Sequence, residues 1–140
     1  MFKINLLLQI FSCFFLCGLI WTIQVVHYPG FIFNKEQFLD FHSFHSQRIT
    51  WIVAPVMLLE LLTAIGLLLQ HSPSVALWGN LISIALIWLA TLFVSVPYHS
   101  ELSSGFSEVA IQKLVITNWI RTTLWTLRSG VWLYVLSGRL

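Results

Sequence analysis

Residues 49–70 read ITWIVAPVMLLELLTAIGLLLQ, and this stretch decides the fold. A single charge, Glu60, interrupts an apolar run that reaches the ~20 residues a helix needs to cross a bilayer core. Three further stretches, 4–27, 74–96 and 114–136, reach or approach the same length. Hydrophobic residues make up 58% of the chain and charged residues 9%, an excess that a water-soluble core does not explain. Alternating short strands, the mark of a β-barrel, are missing. The sequence therefore predicts an all-α integral membrane four-helix bundle, one domain over 1–140, with the lipid bilayer as its surroundings.

Working outward from 49–70, the preceding connection 31–47 mixes Phe31, Phe33, Phe38, Phe41 and Phe44 with Lys35, Glu36 and Asp40. That composition predicts an interfacial amphipathic segment between helices 1 and 2, running on into helix 2, where Pro55 should introduce a kink. Helix 1 is expected to stop at His27-Tyr28-Pro29-Gly30, and helix 3 at Ser95-Val96-Pro97-Tyr98-His99. The first apolar run is too long for an ordinary signal peptide and no small-x-small cleavage site follows it, so it reads as a retained helix. Cys13 and Cys17, four apart, read as small interface residues. A net charge of +2 without a basic run gives no argument for nucleic acid. Lys3 and Arg139 flank one face while Lys35 and Lys113 flank the other, so the positive-inside rule orients the chain poorly. The expected location is a bacterial inner membrane with cytoplasmic termini. Gly18, Gly66 and Gly79 offer surfaces for a homodimer, although none belongs to a G-x-x-x-G.

Each helix carries a polar line. On helix 4, Asn118, Arg121, Trp125 and Arg128 fall within an arc of roughly 80° at 100° per residue. An arginine facing lipid there costs at least ~2.5 kcal/mol, so this stripe should face the bundle interior. Glu60 lies about 18 Å along helix 2 from Arg48, near the midplane, and is the counter-charge expected for Arg121 or Arg128. Gln9, Cys13, Cys17 and Gln24 share a face of helix 1; Asn80, Ser83, Thr91 and Ser95 share one of helix 3.

Four of the five histidines, His27, His42, His45 and His99, fall at one face of this topology. His42 and His45 have the i, i+3 spacing that lets two imidazoles reach one ion. Several neutral imidazoles suit a divalent transition metal, Fe, Cu or Zn, with Asp40 or Glu101 completing or orienting the set. Haem fits less well, because these histidines lie at the rim and not across the interior. His71, alone in the opposite turn, reads as structural.

The stretch Val96 to Arg128 contains V-P-Y-H-S-E-L, then L-x-x-x-N-W-I-R-T and W-x-x-R. It resembles the small four-helix membrane proteins grouped with anthrone oxygenase, over about the last third of the chain. His99 stands where that pattern has an asparagine. The resemblance implies a four-helix fold and oxidation of an aromatic or lipid-like substrate.

Together these readings predict a membrane-embedded metal-dependent oxidoreductase. His27, His42, His45 and His99 would hold the metal; Glu60 and Arg121 would be catalytic. Arg48, Asn118, Trp125 and Arg128 would bind a hydrophobic or anionic small molecule. Two other classes compete with it. The first is a transporter or channel for protons, metal ions or small anions, using the Glu60/Arg121 interior. The second is a non-catalytic subunit of a membrane complex.

Overall fold

The computed structural model describes residues 2–70, 72 and 74–138; His71 and Arg139 lie outside the described residues. Among the described residues there are four long helices and no strand: α1 Phe2–Phe33, α2 Phe38–Gln70, α3 Val75–Leu102 and α4 Glu108–Ser137. The first three are long and apolar enough to cross a membrane. At 1.5 Å per residue each of the four runs roughly 40–50 Å, longer than the ~30 Å hydrocarbon core. α4 is as long as its neighbours but less apolar, because Asn118, Arg121, Thr122, Arg128 and Ser129 are buried on its inward side.

The outward surface is an apolar belt. Ile4, Leu7 and Phe11 of α1 are exposed, as are Leu58, Leu62 and Leu69 of α2, Ile82, Leu86 and Leu89 of α3, and Leu127 and Val131 of α4. Trp21, Trp51 and Trp119 stand exposed at one border of this belt, the depth that amphipathic rings prefer. Beyond them seven exposed charges gather at one end, Lys35, Glu36, Asp40, Arg48, Glu101, Glu108 and Lys113, while exposed Lys3 lies at the other.

α1 and α3 do not stop where the sequence predicts. Each passes through a wide turn, Ile23–His27 in α1 and Thr91–Ser95 in α3, closed by an i→i+5 bond: Tyr28 N–H to Ile23 O, and Val96 N–H to Thr91 O. A proline follows each turn by two residues, Pro29 and Pro97. A helical proline clashes with the carbonyl four residues earlier, here that of Val25 or Phe93, and both carbonyls lie inside the widened turn. The π-type turn thus lets the helix absorb the proline and continue to Phe33 or Leu102. The same device re-phases His27, Tyr28 and His99 relative to the helix below them.

The segment 38–47 forms the first turns of α2, and only 34–37 separates it from α1. α2 runs unbroken through Pro55. Its buried positions Phe38, His42, His45, Met57, Glu60, Ala64 and Leu67 follow helical spacing along one face. Ser74 and Ser107 cap α3 and α4, accepting from Leu77 N–H and Ala110 N–H. Gly66 is packed inward: a Cβ there would meet Asn5 Nδ2 at 2.5 Å, so this face is not free for a second copy, whereas Gly18 and Gly79 open onto space.

Candidate functional site: a histidine–tyrosine cluster above a charged interior

The four rim histidines do come together. The His27 and His45 rings lie 4.4 Å apart, His42 and His99 stack at 5.3 Å, and His45 and His99 are 6.2 Å apart. Phe31 and Phe38 wrap them: Phe31 meets His45 edge-on at 5.1 Å, and Phe38 stacks on His42 at 5.6 Å. His42 and His45 are buried, at 1% and 4% exposure. This is one aromatic-lined cluster built by α1, α2 and α3.

Tyr28 joins it, although in the sequence it reads only as part of a helix stop. Its hydroxyl lies 3.0 Å from His99 Nε2; His99 Nδ1 lies 3.1 Å from His42 Nε2; and Ser46 Oγ lies 3.4 Å from the same His42 nitrogen. On its other side the Tyr28 hydroxyl faces the Arg121 guanidinium closely enough for the two to interact electrostatically. A row of contacts therefore leads from the charged rim to the interior cation.

Several sequence assignments change. Asp40 and Glu101 are exposed and neither bonds to a histidine, so the carboxylates expected to complete the cluster do not reach it. Arg48 is exposed and lies over the Phe44 ring at 5.4 Å, not in the polar interior. The reason is helical phase: six residues from His42 turns Arg48 about 120° away from the buried face. Among the described residues, no three histidine, cysteine or acidic side chains converge as a ligand set for one ion.

Below the cluster lies Arg121, 5% exposed, donating to Ser95 Oγ at 3.2 Å and Thr91 Oγ1 at 3.5 Å. Its guanidinium also lies 5.8 Å from the Trp125 ring. About two turns further along α4, Arg128 and not Arg121 pairs with Glu60, at 2.6 Å. Trp125 Nε1 donates to the other carboxylate oxygen at 3.3 Å, and Asn80 Oδ1 accepts from Arg128 Nε and a terminal nitrogen at 3.3 and 3.0 Å. Asn80 decides the choice between the two arginines: it fixes Arg128 in a fork that a single carboxylate oxygen could not. Glu60 is the counter-ion of Arg128, and the network ends at Asn80, whose buried Nδ2 has no partner.

Asn118, expected at the substrate, instead ties helices together. Its amide donates to Gln24 Oε1 at 2.8 Å, Thr122 donates to the same oxygen at 3.2 Å, and Gln24 Nε2 donates to Val115 O at 3.0 Å. Cys13 lies 3.6 Å from Ser129 Oγ and Cys17 3.9 Å from Thr126 Oγ1, both cysteines packed at the α1–α4 seam. Gln24→Leu removes all three Gln24 bonds. Membrane hydrogen bonds average about 0.6 kcal/mol each, so we expect a loss of about 1–2 kcal/mol, read as a shifted midpoint in a denaturing-detergent titration.

At the end opposite the histidines an apolar cleft of about 480 Å³ opens between α1, α3 and α4, with Leu77, Leu124 and Trp132 on its walls and Asn80 and Arg128 among its polar lining. No family model, curated protein or solved structure matches this chain.

Proposed function

We propose that this chain moves protons across the membrane, with Ser46, His42, His99 and Tyr28 forming the relay that feeds its charged interior. The observation that carries the reading is the unbroken sequence of contacts at 3.4, 3.1 and 3.0 Å through those four side chains. At His99 the two contacts fall on different ring nitrogens, so a proton taken up at one is matched by a proton released from the other; His42 meets both Ser46 and His99 through Nε2, so passage there requires the His42 ring to turn between them. The direction of the resting chain follows from Arg121, which has only donors to offer. Facing it, the Tyr28 oxygen accepts and its hydrogen goes to His99 Nε2, so that His99 Nδ1–H donates to His42 Nε2. These tautomers are assigned from the network. In vesicles holding a pH-sensitive dye, proton entry should exceed that of protein-free vesicles and fall to that level in His99→Ala; equal rates for native protein and variant would refute the relay.

A second reading, a metal-dependent oxidoreductase acting on a lipid-like or aromatic molecule, is favoured by a different observation. His45 Nε2 is buried without a partner, beside the His27 ring. His42 Nε2 and His99 Nδ1, 3.1 Å apart, are close to the spacing of two nitrogens on one ion, about 3.3 Å for ~2.05 Å bonds at a tetrahedral angle. His27, His42, His45 and His99 would hold such an ion after ring rotations, and it would supply Lewis-acid or oxygen chemistry. Near-stoichiometric Fe, Cu or Zn in purified protein, lost in the His42→Ala/His45→Ala double variant, is the expected result of this reading. No uptake under any loading condition would end it.

A further inference from the structure

The cleft at the end away from the histidines has the make-up of a ligand site. Leu6 of α1, Leu67 of α2, Leu77 of α3 and Leu124 and Trp132 of α4 give it apolar walls, and Asn80 and Arg128 give it polar groups. Its volume, about 480 Å³, falls within the roughly 300–1,000 Å³ of small-molecule sites, which are mostly apolar with a few polar groups that fix orientation. Leu127 and Val131 line it too and stand exposed on the apolar belt, so the cleft opens sideways into the bilayer.

The polar lining is short of acceptors. Asn80 Oδ1 already accepts twice from Arg128, while its Nδ2 is buried with no acceptor among the described residues. A guanidinium has five N–H groups, and three of those on Arg128 are taken, two by Asn80 and one by Glu60. Ser83 spends its hydrogen on the carbonyls of Gly79 and Asn80. The unused groups of Asn80 and Arg128 are thus N–H donors. A buried N–H without an acceptor keeps its full desolvation cost, which favours an occupant that brings an oxygen to it.

Charge narrows the class. Glu60 lies 2.6 Å from Arg128 and neutralises it, so a carboxylate or phosphate would bring an anion that no unpaired cation in the lining balances. A neutral carbonyl oxygen accepts hydrogen bonds and brings neither a charge nor a hydrogen in need of a partner. The Trp132 indole in the wall offers a surface on which a flat ring stacks. We propose that the cleft binds a neutral, membrane-soluble quinone from the bilayer, one ring carbonyl accepting from Asn80 and Arg128 and the hydrocarbon tail leaving past Leu127 and Val131. This site stands apart from the histidine relay at the other end of the bundle.

The test is equilibrium binding of a tritiated benzoquinone with a decyl tail to the full chain in phosphatidylcholine nanodiscs, counted above protein-free discs. We expect one saturable site per chain, displaced by the unlabelled quinone. Decylbenzene, which has the tail without the carbonyls, should not displace it, nor should dioleoylglycerol, a neutral ester. Gly79 lines the cleft and a Cβ there would meet nothing within 4 Å, so Gly79→Phe has room to fold while its ring takes the ligand's space. Affinity in that variant should fall at least about tenfold. Asn80→Leu removes the unpaired donor and should weaken binding about fivefold, the worth of one hydrogen bond. Should Asn80→Leu fail to fold, Gly79→Phe still decides. Absence of a saturable site, native affinity in Gly79→Phe or in folded Asn80→Leu, or displacement by decylbenzene or dioleoylglycerol as readily as by the quinone would each overturn the proposal.

Discussion

Glu60→Leu should destabilise the bundle by about 3–5 kcal/mol, the usual cost of breaking a buried ion pair by removing one partner. The substitution leaves Arg128, 5% exposed, without its 2.6 Å carboxylate contact, and leaves the Trp125 indole N–H without its acceptor. Both partners are almost fully buried, so solvent screening does not reduce the effect. The companion experiment separates charge from packing. A Glu60→Leu/Arg128→Met double variant removes both charges, and paired replacement by apolar groups is often neutral or stabilising. It should recover most of the loss in a denaturing-detergent titration. If Glu60→Leu alone cost less than about 1 kcal/mol, Arg128 would have to escape along the adjoining cleft, and the network with Asn80 would not be holding it.

Tyr28→Phe should have the largest effect on proton movement for the smallest effect on the fold. The ring remains packed against Phe31, 5.6 Å away, and against His45 and His99, so stability should change by no more than about 1 kcal/mol, the worth of one hydrogen bond. What disappears is the hydroxyl that touches His99 Nε2 and interacts with Arg121. A proton cannot cross the gap that remains, and we expect flux to fall by at least about tenfold, in keeping with the factors usual for loss of a positioned proton-transfer group. A stability loss as large as that of Glu60→Leu would instead make Tyr28 a packing residue.

Much of this arrangement is legible in the sequence because membrane helices are read from length and polarity alone. The four long helices follow from apolar runs, three of them apolar enough to cross a membrane, and the inward stripe of α4 follows from the cost of showing arginine to lipid. The convergence of His27, His42, His45 and His99 follows from helix exits at one level. What could not be read is phase and continuation. His-Tyr-Pro-Gly reads as a stop, yet a widened turn carries α1 through it and swings Tyr28 into the cluster. No periodicity marks that turn; the only signal is a proline two residues past a polar position in both α1 and α3. Nearness in sequence to His42 and His45 does not carry Arg48 inward, because each residue steps 100° around the helix. Glu60 offered a partner for either arginine, and only the Asn80 fork on Arg128 decides between them. Asp40 and Glu101 lie close to the histidines in sequence but remain at the exposed rim, where a carboxylate keeps its water.

The central claim is that the row Ser46–His42–His99–Tyr28 carries protons, and dye-loaded vesicles with a potassium diffusion potential test it most directly. The account predicts that native protein acidifies the lumen on imposing an inside-negative potential, well above protein-free vesicles, and that Tyr28→Phe, folded and inserted to the same extent, removes this acidification. Acidification no faster than in protein-free vesicles, or undiminished in Tyr28→Phe, would contradict it.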